Sequence, residues 1–153
     1  MFPQAGKVNT LGAWNTLFGF IEALYLSGAS KQAGEFLPLV QEAIALDMEW
    51  ITFDCRLLHT RAAIAAAGAS EWHQAEEHLS TALLAAEELD HRLEQADLRF
   101  LRARMLLERG REEDLAEVKA SMAEAADRYR ALGMTGRIKW VSSMLDEEPQ
   151  PGE

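Results

Sequence analysis

Apolar residues return along this chain at alternating steps of three and four, which is the spacing of one helix face. Trp72, Ala75, Leu79, Ala82, Ala86 and Leu89 follow this rule, as do Leu115, Val118, Met122, Ala125, Tyr129 and Leu132. Ala33, Leu37, Val40 and Ile44 make a shorter stripe. Two further stripes lie between these, Ile51–Cys55–Leu58–Ala62–Ala65 and Leu93–Ala96–Phe100–Ala103–Leu107. A helix over 10–27 precedes them all, and one over 135–147 follows. Ala, Leu, Glu, Arg and Met dominate and β-branched runs are missing, so propensity agrees with pattern.

Glycines punctuate the stripes. Gly28, Gly68 and Gly110 each stand where a helix must end and the chain must turn with positive φ, and Gly133 closes a further helix in YRALG. The separations 28 to 68 and 68 to 110 are 40 and 42 residues. The letters repeat as well: GASKQAGEFL begins at Gly28 and GASEWHQAEEHL at Gly68. Ser30 and Ser70 read as N-caps of the helices that follow. Three helix hairpins of about 40 residues and a last helix result, and periods of that length indicate a solenoid. A lone hairpin cannot bury its stripe, whereas stacked hairpins build a continuous core. Pro38 falls inside the second helix and predicts a kink or a late start there. Residues 1–9 read as an N-terminal extension, 10–147 as the repeat domain and 148–153 as a disordered tail.

The second helix of each hairpin carries a small residue, a large one four later, and another three after that. The triplets are Ala33–Leu37–Val40, Ala75–Leu79–Ala82 and Val118–Met122–Ala125. This pattern resembles the tetratricopeptide repeat, over roughly residues 10–134. The phrases EALYLSG, RLLHTRAAIAAAG, EQADLRFLRARMLLERG and YRALGM are similar to the C-terminal helical repeats of large bacterial signalling ATPases and transcriptional activators. The resemblance implies an all-α, right-handed α–α superhelix of three hairpins with a C-terminal capping helix. It implies repeats that bind protein partners or effectors and do no chemistry, and first helices that line a concave side. The period here is longer than the 34 residues of that family, and no proline closes a unit.

Charge narrows the partners. The chain has 153 residues, with 25 acids against 15 bases and a net charge of −10. Phosphate backbones and anionic membranes need clustered Lys and Arg, so neither nucleic acid nor a membrane surface is expected. No apolar run is long enough to span a bilayer and no signal peptide stands at the start, so a cytoplasmic location is expected. The single cysteine, Cys55, excludes an internal disulfide.

Candidate chemistry is sparse. Cys55 and His59 are one turn apart, but two ligands fall short of a zinc site, and Cys55 reads as a small apolar side chain. His73, Glu76, Glu77 and His78 lack the HExxH spacing and read as an exposed first turn. There is no GxSxG and no phosphate-binding GxxxxGK[ST]. The chain is therefore expected to be non-catalytic, with no metal and no cofactor. Two features stand out. Gln95, Arg99, Arg102 and Arg109, with Arg104 and Arg111, form a basic strip on the fifth helix; either neighbouring glutamates neutralise it or an anionic ligand docks there. The first helix, with Leu11, Trp14, Leu17, Phe18, Phe20, Ile21 and Tyr25, is apolar around most of its circumference and needs cover on more than one side. That cover is an upstream repeat, a second copy of the chain, a folded-back N-terminal segment, or simply the next helices.

The favoured reading is a scaffold for a protein or peptide partner, with Asn15, Glu22, Arg56, Arg99 and Arg102 as contacts. The alternatives are a domain sensing a small anionic ligand and a homodimer joined through Trp14, Phe18 and Tyr25.

Overall fold

A computed structural model of the chain describes residues 2–7, 10–46 and 58–146. Every regular element among them is helical: α1 (Leu11–Leu26), α2 (Ser30–Gly34), α3 (Leu37–Ala45), α4 (Leu58–Gly68), α5 (Trp72–Glu88), α6 (Arg92–Arg109), α7 (Leu115–Ala131) and α8 (Thr135–Asp146). A short 3₁₀ turn, Glu112–Asp114, leads into α7. The chain divides into two compact units, Met1–Ala85 and Ala86–Glu153. Arg56, Ile51, Cys55 and the tail over 148–153 lie outside the described residues.

Pro38 acts as expected. The second helix is interrupted before it, into α2 and α3, and Pro38 stands in the first turn of α3, where its missing N–H costs nothing.

In the first unit the surrounded helix is α4, not α1. Leu58 and every residue from Thr60 to Gly68 is buried. Helices α1, α2 and α3 all lie against it. Its sequence, LHTRAAIAAAG, is poor in bulky side chains, and that is why neighbours can approach from several directions. The approach is closest where α2 crosses it. A Cβ on Gly68 would stand 2.0 Å from the Ser30 carbonyl oxygen, and one on Gly34 would stand 2.4 Å from the Ala69 nitrogen. Two backbones touch there, and only glycine fits on either side.

Helix α1 buries one broad stripe, Trp14, Leu17, Phe18, Ile21 and Tyr25. Its other side is covered in part by the chain's own start. Phe2, Phe20 and Phe36 form an aromatic trio with centroids 5.0, 5.6 and 5.9 Å apart. Pro3 is buried, and the Gly6 N–H donates to both carboxylate oxygens of Glu42, at 3.1 and 3.2 Å. The segment expected as an extension is thus folded back along α1, which is one of the covers that the sequence allows.

The second unit is built on the α6–α7 hairpin with α8 against α7. Its core is Ala96, Phe100, Ala103 and Leu106 from α6, Val118, Met122, Ala125 and Tyr129 from α7, and Val141 from α8. Small residues alternate with large ones along both seams, which lets the axes close up and the large side chains interdigitate. Phe100 packs on Trp140 at 4.7 Å.

All three small–large–small triplets are buried, at 8% exposure or less. Among the described residues, the stripes reach the surface at their ends, where Leu89, Leu115, Leu132 and Leu107 are exposed. Periodicity alone therefore overextends the core at these four positions, whereas the stripe ends Ile44, Trp72 and Leu93 stay partly buried.

The helix ends correct the reading of the GAS repeat. Gly28, Gly110 and Gly133 do take positive φ, at +85°, +71° and +70°. Gly68 does not. The left-handed residue of that turn is Ser70, at φ 63°. Its N–H bonds the Ala67 carbonyl and the next N–H, of Glu71, bonds that of Ala66, the paired closure of a Schellman motif. Gly28 and Ala29 make the same pair with Tyr25 and Leu24. Ser70 therefore closes α4 and is not the N-cap of α5. The structural counterpart of Gly28 is Ser70, 42 residues on, and the same offset joins Ala33 to Ala75, Leu37 to Leu79 and Val40 to Ala82. The two GAS strings occupy different places in the turn. Ser30 likewise is no N-cap: it is buried in the first turn of α2, whose cap position is Ala29.

Candidate functional site

The basic strip of α6 can now be followed side chain by side chain. Arg99 is nearly enclosed. Its Nε donates to Glu124 Oε2 (2.8 Å), its Nη2 to Glu87 Oε1 (3.3 Å) and its Nη1 to the Gln95 carbonyl (3.0 Å). Arg102 pairs with Glu117. Arg109 holds Asp114 through two parallel bonds of 2.8 Å, a fork-to-fork geometry that fixes the 3₁₀ turn to the end of α6. Gln95, counted with the strip in the sequence, is buried; it donates to the Ala86 carbonyl (3.0 Å) and accepts from Arg128 (2.7 Å).

These contacts have an order. Arg102 with Glu117, Arg99 with Glu124 and Gln95 with Arg128 are successive rungs along one edge of the antiparallel α6–α7 hairpin. Three arginines of the strip thus face carboxylates: Arg99 meets Glu87 and Glu124, Arg102 meets Glu117, and Arg109 meets Asp114. The two acids of the ladder, Glu117 and Glu124, stand on α7, 15 and 25 residues along the chain from Arg102 and Arg99. A second polar row runs inside. The Tyr129 hydroxyl donates to Asp97 Oδ1, both groups buried, and Arg137 approaches the same carboxylate at 3.9 Å while lying 5.3 Å from the Trp140 ring. The outer rim of the ladder remains open to water: Arg102 and Glu117 are each 46% exposed and Glu124 is 60% exposed.

In the first unit the expected contact residues part company. Glu22 is half-buried and turned towards Arg61, at 3.9 Å, whose side chain is buried. Asn15 is half-buried on α1. Arg56 lies outside the described residues. The structure does not offer Trp14, Phe18 and Tyr25 as an interface: they are exposed by 3%, 3% and 0%, in the core of the unit, because the stripe that they share faces the neighbouring helices. The partly exposed large apolar residues of α1 are Leu11, Phe20 and Leu26.

The two histidine motifs, separate in the sequence, meet in space. His59 of α4 and His78 of α5 bring their Nδ1 atoms to 3.0 Å, with ring centroids 5.1 Å apart. Burial pushes the His78 pKa down, the neighbouring His59 pushes it further, and Glu77 acts in the opposite sense. His73 is exposed and lies 3.9 Å from Glu77, one turn on. The sequence separates the pair because each His has a more obvious neighbour on its own helix. Among the described residues, no group of three or more His, Cys, Asp or Glu side chains converges as a metal site, and no helix is long and apolar enough to cross a membrane.

Compared with family models, curated proteins and solved structures, the chain matches none.

Proposed function

We propose that this chain is a non-catalytic helical-repeat scaffold that binds a protein or peptide partner, as a module of the kind joined to bacterial signalling or transcription regulators. The recurrence of one buried triplet, with one type of helix closure, at an offset of 42 residues carries the reading. Hairpins that repeat in this way stack as a solenoid, here a tetratricopeptide-like superhelix, and such stacks present long surfaces that recognise a partner by shape. The exposed rim of the α6–α7 ladder suits a polar partner surface. Its rungs hold Arg102 and Glu117 in fixed geometry, so little side-chain entropy is lost on docking. Arg102 is the strongest of the expected contacts, because Arg99 is already committed to three internal acceptors. The same rim could select a small anionic ligand only by breaking its ion pairs, which ranks the ligand-sensing alternative below a protein partner. A homodimer through the first helix would use Leu11, Phe20 and Leu26.

The test is a photo-crosslinking residue placed at Arg102, with Lys119 as a control, in the chain expressed in its native host. A discrete adduct with another protein, specific to position 102, is the expected result. An adduct only with a second copy of the chain would favour self-association. Equal labelling at positions 102 and 119 would contradict the proposed face.

A further inference from the structure

Residues 2–7 are held against the first unit in the way a short peptide is held in a docking site. The segment belongs to no helix or strand and is fixed at three points. The Phe2 ring meets Phe20 of α1 and Phe36, the cap residue of α3, with centroids 5.0 and 5.6 Å apart and planes inclined by 37° and 60°. Tilted and edge-on geometries of this kind are the ones aromatic pairs favour. Pro3, the next residue, is buried, and it has no N–H to leave unsatisfied. A tight turn follows: the Lys7 N–H donates to the Gln4 carbonyl at 3.2 Å, and Gly6 takes a φ of +67°, as the third position of such a turn favours. The turn aims the Gly6 N–H at the half-buried carboxylate of Glu42, at 3.1 and 3.2 Å, a charge-assisted bond. In chain order the three anchors spell aromatic–Pro–x–x–Gly.

The hold is light. Phe2 and Phe20 stay 37% and 39% exposed, so the rings are only partly withdrawn from water and the segment can leave at modest cost. We infer that Phe20, Phe36 and Glu42 form a docking site for a partner peptide of the pattern aromatic–Pro–x–x–Gly, and that residues 2–7 close this site in cis. A side chain seated on an apolar patch together with a main-chain hydrogen bond is a recurring way to recognise short peptides. Here the two rings read the aromatic residue, and the carboxylate reads the N–H that the glycine turn presents. A short tether keeps the cis segment at about millimolar effective concentration, so a partner must compete with it. The site shares no residue with the rim of the α6–α7 ladder and goes beyond the reading proposed for that rim.

The experiment is fluorescence anisotropy with the labelled peptide MFPQAGKVN, titrated with the full chain and with the full chain carrying Phe2→Ala, which removes the cis ring. The substituted chain should bind about tenfold more tightly, for a peptide of about 0.1 mM affinity against a millimolar tether. Adding Phe20→Ala to that chain, or replacing the phenylalanine of the peptide by alanine, should abolish binding. Amide spectra of the Phe2→Ala chain guard against a variant that misfolds: the peptide should move the resonances of Phe20, Phe36 and Glu42 and spare those of α7. No binding at millimolar peptide, equal affinity for the two chains, affinity indifferent to either ring, or shifts centred on α7 would each overturn the inference. Dimerisation of the unsubstituted chain that Phe2→Ala abolishes would also overturn it, since a second copy and not a partner would then fill the site.

Discussion

The two units hold their helices together by different means. In the first, α2 and α4 meet backbone to backbone through Gly34 and Gly68, and α4 is a rod of alanines. In the second, α6 and α7 keep a seam of large side chains, edged by a ladder of arginines and acids with Tyr129 and Asp97 inside. Close approach maximises dispersion contacts but tolerates no added atom. A side-chain ladder tolerates small changes in shape but depends on each partner's hydrogen bonds. The two units therefore have opposite weaknesses.

The largest expected effect follows from the glycine crossing. Gly68→Ala would place a methyl group 2.0 Å from the Ser30 carbonyl, against backbone that cannot rotate away. A loss of about 3 kcal/mol or more is expected, at the upper end of overpacking. Gly19→Ala is its counterpart on an open face of α1, with nothing within 4 Å of the added Cβ. It should stabilise by about 0.5–1 kcal/mol through helix propensity alone. Urea unfolding of the two variants reads both signs; equal effects would remove the crossing from the account.

The ladder unit is sharpened by Tyr129→Phe, which keeps the ring and removes the donor to the buried Asp97. About 1–3 kcal/mol should be lost. A change within error would mean that the polar row adds nothing to the apolar seam.

Acid separates the units more gently. The folded-state pKa of His78 is lowered, so the unfolded chain takes up the proton first. Its contribution is fully present above about pH 6.5, and it is lost as the pH falls from there towards the folded value. The Asp114 pKa is also lowered, chiefly by the Arg109 hydrogen bonds. Its contribution is present above about pH 4 and is lost as the pH falls through the folded value. Denaturant midpoints should decline in two steps, and His78→Gln should flatten the upper step only. A single step, or an upper step unaltered by that substitution, would dissociate the imidazole from the stability profile.

Much of this was legible beforehand, for reasons that particular residues make plain. The helices and their buried stripes follow from spacing, and the break at Pro38 follows from a missing N–H. What escaped depends on tertiary neighbours. Gly34 draws no notice in GASKQAGEFL, since nothing local shows that another backbone will rest on it. The ladder acids that meet Arg99 and Arg102 stand on α7, far along the chain. Trp14, Phe18 and Tyr25 look like surplus apolar surface until the alanines of α4 reveal how near the next helices come. Phe2 covering Phe20 required knowing where the first residues fold.

Ser70→Gly tests the 42-residue correspondence most directly. With Ser70 as the left-handed residue that closes α4, glycine should relieve its positive φ of 63° and raise stability by about 0.5–1 kcal/mol. Were Ser70 the N-cap of α5, with the turn at Gly68 as the matching letters suggest, the same substitution would lower stability by a few tenths of a kcal/mol. A gain in the urea midpoint supports the correspondence; a loss contradicts it.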